Sequence, residues 1–167
     1  APDPDSARNA YGYANKWIRE HQMSSLDYHH PMGIYYFYAG EPDSAVYYLR
    51  KSEDSNLSQG NQMQAMEDRT FRYRILLQQQ KPGEVLSKAT ALIVKLKQYR
   101  QNGLLLYLYG ALESYYRKCG QAALAARYLG QKDELYHRLF RYRQYKEPII
   151  QQQIRFQQEE QQLQEEY

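Results

Sequence analysis

Residues 27–30 read DYHH, and Asp27, His29 and His30 are metal-ligand types held within four positions. A zinc site needs three or four donors converging within bond distance. Two adjacent histidines beside Pro31 point different ways, and His21 is too remote in sequence to place with them. No metal is expected here, and Asp27 reads better as a cap or loop residue. The single cysteine, Cys119, has Arg117 and Lys118 beside it in sequence, and such charges lower a thiol's pKa when they lie close in space. It precedes Gly120, so a small, half-buried residue at a helix end is the preferred reading. One cysteine excludes an internal disulfide and a cysteine-built zinc site. No serine, cysteine or carboxylate pair has a recognisable catalytic partner, and no glycine loop has phosphate-cradling spacing. The chain is expected to be no enzyme and to need no cofactor.

A different chemistry is offered by residues 135–146, LYHRLFRYRQYK, where Arg138, Arg141, Arg143 and Lys146 alternate with Tyr136, Phe140, Tyr142 and Tyr145. Cations can neutralise phosphates while rings stack on bases, which suits single-stranded RNA. On a helix, however, Tyr136, Leu139, Phe140 and Arg143 share a face, so several of these rings are expected to be buried and the cations to form a solvated stripe. RNA binding ranks below the other readings.

The elements that must position these residues are helices. At 167 residues the chain is one domain of ordinary size. Few residues are β-branched and many are good helix formers. Nineteen tyrosines supply large rings with polar tips, suited to half-buried positions between helices. The net charge of +3 implies neither a nucleic-acid nor a membrane partner by itself. Charge is uneven along the chain: ten Lys/Arg between Lys97 and Lys146 face only Glu113, Asp133 and Glu134, whereas five Glu after residue 146 face Arg155 alone. No apolar run approaches the roughly 20 residues of a membrane-spanning helix. The opening APDPDSARNA lacks both a charged start and an apolar stretch, which fits a cytosolic chain or one whose targeting segment has been removed.

Breakers divide the chain at short intervals. A first helix is predicted over about Ser6 to Gln22, with Tyr13, Trp17 and Ile18 near one face. Pro31 opens a second that ends by Gly40, and Pro42 opens a third carrying Ala45, Tyr48, Leu49 and Ser52. The polar stretch SEDSNLSQGNQ then leads into a helix through Met63, Met66, Tyr73 and Leu77. Pro82-Gly83 precedes a segment from Val85 to Tyr99, and Asn102-Gly103 punctuates before Leu104 to Lys118. Gln121 to about Tyr145 follows, and Pro148 is expected to restart a separate final helix. No strand-like alternation occurs, so an all-α fold of antiparallel neighbours is predicted.

Shifting the sequence by forty residues brings similar segments into register. Tyr35, Ile75 and Tyr115 coincide, as do Tyr36, Leu76 and Tyr116; Gly40, Gln80 and Gly120; Ala45, Val85 and Ala125; and Leu49, Ala89 and Leu129. A helix–turn–helix unit explains the pattern. A small residue early in the second helix admits the first helix closely, and stacking buries the face each unit leaves open.

The segment MGIYYFYAGEPDSAVYYLRKS resembles a tetratricopeptide repeat, with Gly33, Tyr36, Gly40, Ala45, Leu49 and Ser52 at that motif's spacing. The third copy keeps Tyr116, Gly120, Ala125 and Leu129 but has Glu113 at the small position, and the middle copy retains little beyond apolar character. The resemblance implies a right-handed α-α superhelix: an N-terminal helix and linker over 1–29, three helix pairs over 30–147, and a capping or stalk helix over 148–167. The end of the chain, through Lys132, Asp133, Leu135 and Tyr136 and then Ile150, Ile154 and Leu163, is similar to the last repeat and outgoing stalk of tetratricopeptide sensor proteins of Bacteroidetes-type bacteria. That likeness implies the sensory region of a signalling regulator, periplasmic if part of a membrane sensor. A cytosolic adaptor or a peptide-pheromone-receptor-like repeat protein is the alternative with the same architecture.

In the resembled family, ligands lie in a concave groove lined by the first helix of each unit. The forty-residue register places there His30, Ile34, Phe37 and Tyr38, then Thr70, Arg74 and Gln78, then Ser114, Arg117 and Lys118. Aromatic contacts at one end and Arg74, Arg117 and Lys118 at the other suit an extended peptide bearing a carboxylate. An ordinary solvated face fits the same residues. The Lys-and-Asn pattern with which some members clamp a peptide C-terminus is absent. In the final helix Ile149, Gln153, Phe156, Glu160, Leu163 and Tyr167 alternate at steps of four and three, a coiled-coil seam weakened by its polar members. It is expected either to cap the stack or to pair with a second chain as a homodimer.

Overall fold

The computed structural model describes residues 28–166. The N-terminal helix expected over Ser6 to Gln22, with Tyr13, Trp17, His21 and Asp27, lies outside the described residues. Six helices follow: α1 His29–Tyr38, α2 Pro42–Ser58, α3 Gln62–Gln78, α4 Val85–Gln98, α5 Asn102–Lys118 and α6 Ala122–Glu166. Among the described residues there is no strand, so this part of the chain is all-α.

Five of the turns repeat one device every twenty residues. The backbone takes positive φ at Gly40 (79°), Gly60 (77°), Gln80 (58°), Arg100 (54°) and Gly120 (73°). At each turn the next N–H reaches back across the helix end: Glu41 to Tyr36 O (2.9 Å), Asn61 to Asn56 O (2.8 Å), Lys81 to Leu76 O (3.0 Å), Gln101 to Leu96 O (2.8 Å) and Gln121 to Tyr116 O (2.9 Å). These bonds satisfy carbonyls that a helix end leaves without partners, and the left-handed residue reverses the chain. Glycine takes that conformation without steric penalty, whereas Gln80 and Arg100 take it against one.

The close partners are α1 with α2, α2 with α3, α3 with α5 and α5 with α6, while α4 touches α3 and α5 more lightly. Ala45, Val85 and Ala125, each in the first turn of a second helix, are all buried. Gly33 shows why one position is small: a Cβ there would stand 2.6 Å from Leu49 Cγ, so α1 meets α2 at a distance only glycine permits. Tyr36 stacks on Tyr48 at 5.3 Å with ring planes 8° apart, and Tyr116 stacks on Tyr128 at 5.7 Å with planes 1° apart. The Tyr35-Tyr36 pair thus belongs to helix packing. The larger core gathers Tyr73, Leu77, Val85, Ala89, Leu96, Leu105, Leu108, Leu112 and Leu135; a smaller one holds Ala45, Leu49 and Ile75. Full burial of each such aliphatic side chain stabilises by about 1.5–3 kcal/mol.

Charge is also buried between α2 and α3. Glu53 accepts from Arg69 Nε at 2.6 Å and from Arg72 Nη2 at 2.8 Å and Nε at 3.2 Å. Arg72 Nη1 lies 3.5 Å from Glu84, which also meets Lys88 Nζ at 2.6 Å and Arg50 at 3.4 Å.

Three expectations differ from what is observed. The polar stretch after Ser52 is mostly helical, because α2 runs on to Ser58. Pro148 does not restart a helix: it lies inside α6, which continues for 45 residues from Ala122 to Glu166. The hydrogen bond that proline removes belongs to an exposed stretch where water can serve the freed carbonyl, and the surrounding Gln and Glu are good helix formers. The boundary drawn at residue 148 therefore falls within one helix. Finally, Leu129 is 43% exposed, while its register mates Leu49 and Ala89 are buried; among the described residues no helix packs on that side of α6.

Candidate functional site

The first helix of each pair, α1, α3 and α5, contributes to two adjoining hollows that meet at Arg74 and Tyr107. One, of about 310 Å³, is lined by His30, Ile34, Phe37, Tyr38, Phe71 and Arg74 among others. The other, of about 450 Å³, takes in Arg74, Gln78, Tyr107, Ser114, Lys118 and Lys132. Two register columns supply lining residues from all three units: Ile34, Arg74 and Ser114, and Tyr38, Gln78 and Lys118.

Arg74 sits at the junction. Its guanidinium carbon lies 4.1 Å from the Tyr107 ring centroid and 5.4 Å from that of Phe37. Phe71 braces Tyr107 edge-on at 5.3 Å. Rings hold a cation through their quadrupoles but accept few of its N–H bonds. Among the described residues no carboxylate pairs with Arg74. Burial pulls its pKa below the ordinary arginine value, with Tyr38 acting in the opposite direction. The charge is partly desolvated and has no side-chain hydrogen-bond partner among the described residues, which is the condition under which an anionic ligand gains most. Lys118 and Lys132 add two cations at the far end of the larger hollow. Lys132 reaches it from α6 past Gly110, where an added Cβ would stand 3.8 Å from its Nζ.

Not every expected groove residue is there. Thr70 is wholly buried, with its hydroxyl donating to Met66 O at 2.7 Å, so it lines nothing. Arg117 is exposed and donates to Glu113 at 3.0 Å, one helical turn away. It lines neither hollow, because residue 117 falls toward the Glu113 side of α5 while its column mates Phe37 and Leu77 face inward. His30 borders the smaller hollow, but its Nδ1 is engaged by Asp68 at 2.5 Å. Asp68 is fully buried and also accepts from Asn56 Nδ2 at 3.0 Å. Burial alone would lower the His30 pKa; the hydrogen bond and charge of Asp68, with Glu67, outweigh it and raise the value above 6.5.

Sequence reasoning missed Tyr107, Phe71, Glu67 and Lys132. The register contained a signal for three of them: Glu67 shares a column with Tyr107, and Phe71 shares one with Ala111, which also lines the larger hollow. Lys132 comes from a second helix, which the groove rule passes over.

The other candidate chemistry falls out differently. His29 and His30 do not converge, and among the described residues no three His, Cys, Asp or Glu side chains gather as a metal would require. Cys119 is exposed rather than half-buried, near Gln80 Oε1 at 3.7 Å. In the basic-aromatic run, Tyr136 and Phe140 are exposed at 58% and 54%, against the expectation of burial; among the described side chains of the run, Leu135 and Leu139 turn toward α5. Among the described residues α6 packs on α5 alone, which leaves that side of it uncovered. A third hollow of about 500 Å³, lined by Lys97, Arg100, Tyr109, Glu134 and Arg138, opens where α4, α5 and α6 meet. Among the described residues no helix is long and apolar enough to cross a membrane. Comparison with protein-family models, curated proteins and solved structures finds no match to the chain.

Proposed function

We propose that this chain is a non-catalytic, tetratricopeptide-like module that binds an extended peptide carrying a carboxylate, with Arg74 as the anchoring cation. The observation that carries the reading is the guanidinium held between Phe37 and Tyr107, with no carboxylate partner among the described residues, where two hollows meet. Ile34, Phe37 and Phe71 offer apolar surface for a ligand side chain on one flank, and Lys118 and Lys132 attract negative charge on the other. An extended chain laid across α1, α3 and α5 meets all of these at once. The superhelical repeat reading is supported by the twenty-residue recurrence of left-handed turns, the Gly33–Leu49 approach and the two matching tyrosine stacks. A role as the ligand-sensing part of a bacterial regulator is the biological setting proposed, resting on the likeness at the chain's end.

Selection from a library of unstructured peptides with free C-terminal carboxylates tests it. Arg74→Glu should weaken capture of the selected peptides at least tenfold, while Arg117→Glu, outside the hollows, should leave affinity within about twofold. Equal binding by wild type and Arg74→Glu would remove the assignment, as would failure to select any peptide.

A further inference from the structure

Helix α6 is far longer than anything it packs on. Its 45 residues span about 68 Å at 1.5 Å per residue, whereas the 17 residues of α5 span about 26 Å. Every described side chain from Phe140 onward is exposed. Along this helix Leu129, Tyr136, Phe140, Ile150 and Ile154, each between 42% and 58% exposed, fall on one face. With Arg143 and Glu147 at the intervening positions, residues 136, 140, 143, 147, 150 and 154 follow steps of four and three without a break. That is the spacing of a two-helix seam. It differs from the seam expected from sequence through Ile149 and Phe156, which continues the face that α5 covers lower down. Leu129 shows what belongs on the exposed side: its register mate Leu49 is fully buried, packed with Ile75 from the following helix.

The stripe complements itself in only one direction. Turned end to end about a point near residue 145, position 136 meets 154, position 140 meets 150, and position 143 meets 147. Tyr136 and Phe140 then face isoleucines, and the two polar positions bring Arg143 against Glu147 twice across the two-fold axis. A parallel pairing instead sets Arg143 against Arg143 and Glu147 against Glu147, which is unfavourable. The wider charge distribution agrees. Before the centre Arg127, Lys132, Arg138, Arg141 and Arg143 outnumber Asp133 and Glu134, and after it Glu147, Glu159, Glu160, Glu165 and Glu166 outnumber Lys146 and Arg155. Because α5 packs on the N-terminal part of α6 and the pairing is antiparallel, the two folded bodies lie at opposite ends of the pair.

We infer that α6 is the interface of an antiparallel homodimer, a second copy of this chain laying its own residues 136–154 along the same stripe. This inference is independent of the peptide groove. Sedimentation of the full chain should show a dimer at micromolar concentration. Ile150→Asp/Ile154→Asp should be monomeric to at least 100 µM with its fold retained, and its unfolding midpoint should not depend on protein concentration, whereas the wild-type midpoint should rise with it. Arg143→Glu should weaken the dimer at least tenfold, and Arg143→Glu/Glu147→Arg should recover most of that loss. Direction is read in a Cys119→Ser background. Phe140→Cys mixed with Ile150→Cys should form disulfide-linked pairs on oxidation, and Phe140→Cys alone should not. A monomer at all concentrations, efficient self-cross-linking of Phe140→Cys, or no effect of Ile150→Asp/Ile154→Asp on assembly would each overturn the proposal.

Discussion

Removing Glu53 should unfold this protein more readily than almost any other single polar substitution. The carboxylate is 5% exposed and takes three hydrogen bonds from two arginines, one of which, Arg72, is itself 4% exposed. After Glu53→Ala, Arg69 can swing toward solvent, since a quarter of its side chain is already exposed. Arg72 cannot. Its remaining carboxylate, Glu84, stands 3.5 Å away and is already shared with Lys88 and Arg50. Breaking a buried pair from one side costs about 3–5 kcal/mol, because a charge stays buried without compensation. Against a total stability of about 5–15 kcal/mol for a domain this is a large fraction. The expected fall in midpoint is about 6–20 °C, taking about 2–4 °C per kcal/mol for a chain of this size. Thermal unfolding followed by circular dichroism measures it, and urea unfolding, with the slope against urea checked for constancy, gives the loss in kcal/mol. The control is Glu53→Leu/Arg72→Met, which removes both charges and keeps apolar volume; it should be at least about 2 kcal/mol more stable than Glu53→Ala. A loss below about 1 kcal/mol for Glu53→Ala, or a double variant no better than the single one, would refute the reasoning.

Two further outcomes follow from the packing. Gly33→Ala gains about 1 kcal/mol of helix preference but forces its Cβ onto Leu49, an overpacking cost of about 1–3 kcal/mol, so a net loss is expected. In a Leu49→Ala background the same change should stabilise instead, and urea midpoints of the four proteins show whether the sign reverses. His30 gives a pH signature. Its folded pKa is raised by Asp68 despite burial, so its contribution is complete below the unfolded value near 6.5 and is lost as pH rises through the folded value. Wild-type stability should therefore fall across that window more steeply than that of Asp68→Asn; equal slopes from paired urea titrations at a series of pH values would exclude the His30–Asp68 link.

Much of the architecture was legible because its punctuation is chemical. Pro42, Gly40 and Gly120 sit at helix ends for reasons visible in the residues themselves, and the Ala45, Val85 and Ala125 column is buried throughout. The shorter, twenty-residue rhythm of the turns was hidden. At two of its five positions the left-handed residue is Gln80 or Arg100, types that carry no turn signal. Asn102-Gly103, which reads as a breaker, instead forms the first turn of α5, starting two residues past the true reversal at Arg100. Pro148 misled for the converse reason, since a strong local signal was overridden where a broken bond faces water. In the groove, the columns through Ile34 and Tyr38 reached the lining in all three units. Thr70 and Arg117 did not, because a residue's column fixes its place along the stack but not the small rotation of each helix about its own axis.

The arginines of α3 explain why the groove cation stands apart from the structural ones. Arg69, Arg72 and Arg74 lie within six residues of one another, yet the first two turn to Glu53 on α2 while Arg74 turns the other way. A helix advances 100° per residue, so residues 72 and 74 cannot serve the same side. On the α2 side the protein supplies a buried carboxylate; on the groove side it supplies rings from α1 and α5 and no carboxylate among the described residues. Phe37 and Tyr107 come from the helices flanking α3, so the cradle exists only while all three hold their spacing. That spacing is set partly by Gly33 against Leu49, a turn away from Phe37 on α1. The contact that fixes the first helix in the stack thereby also fixes one wall of the site, and a substitution that moves α1 should weaken ligand binding without touching any group that meets the ligand.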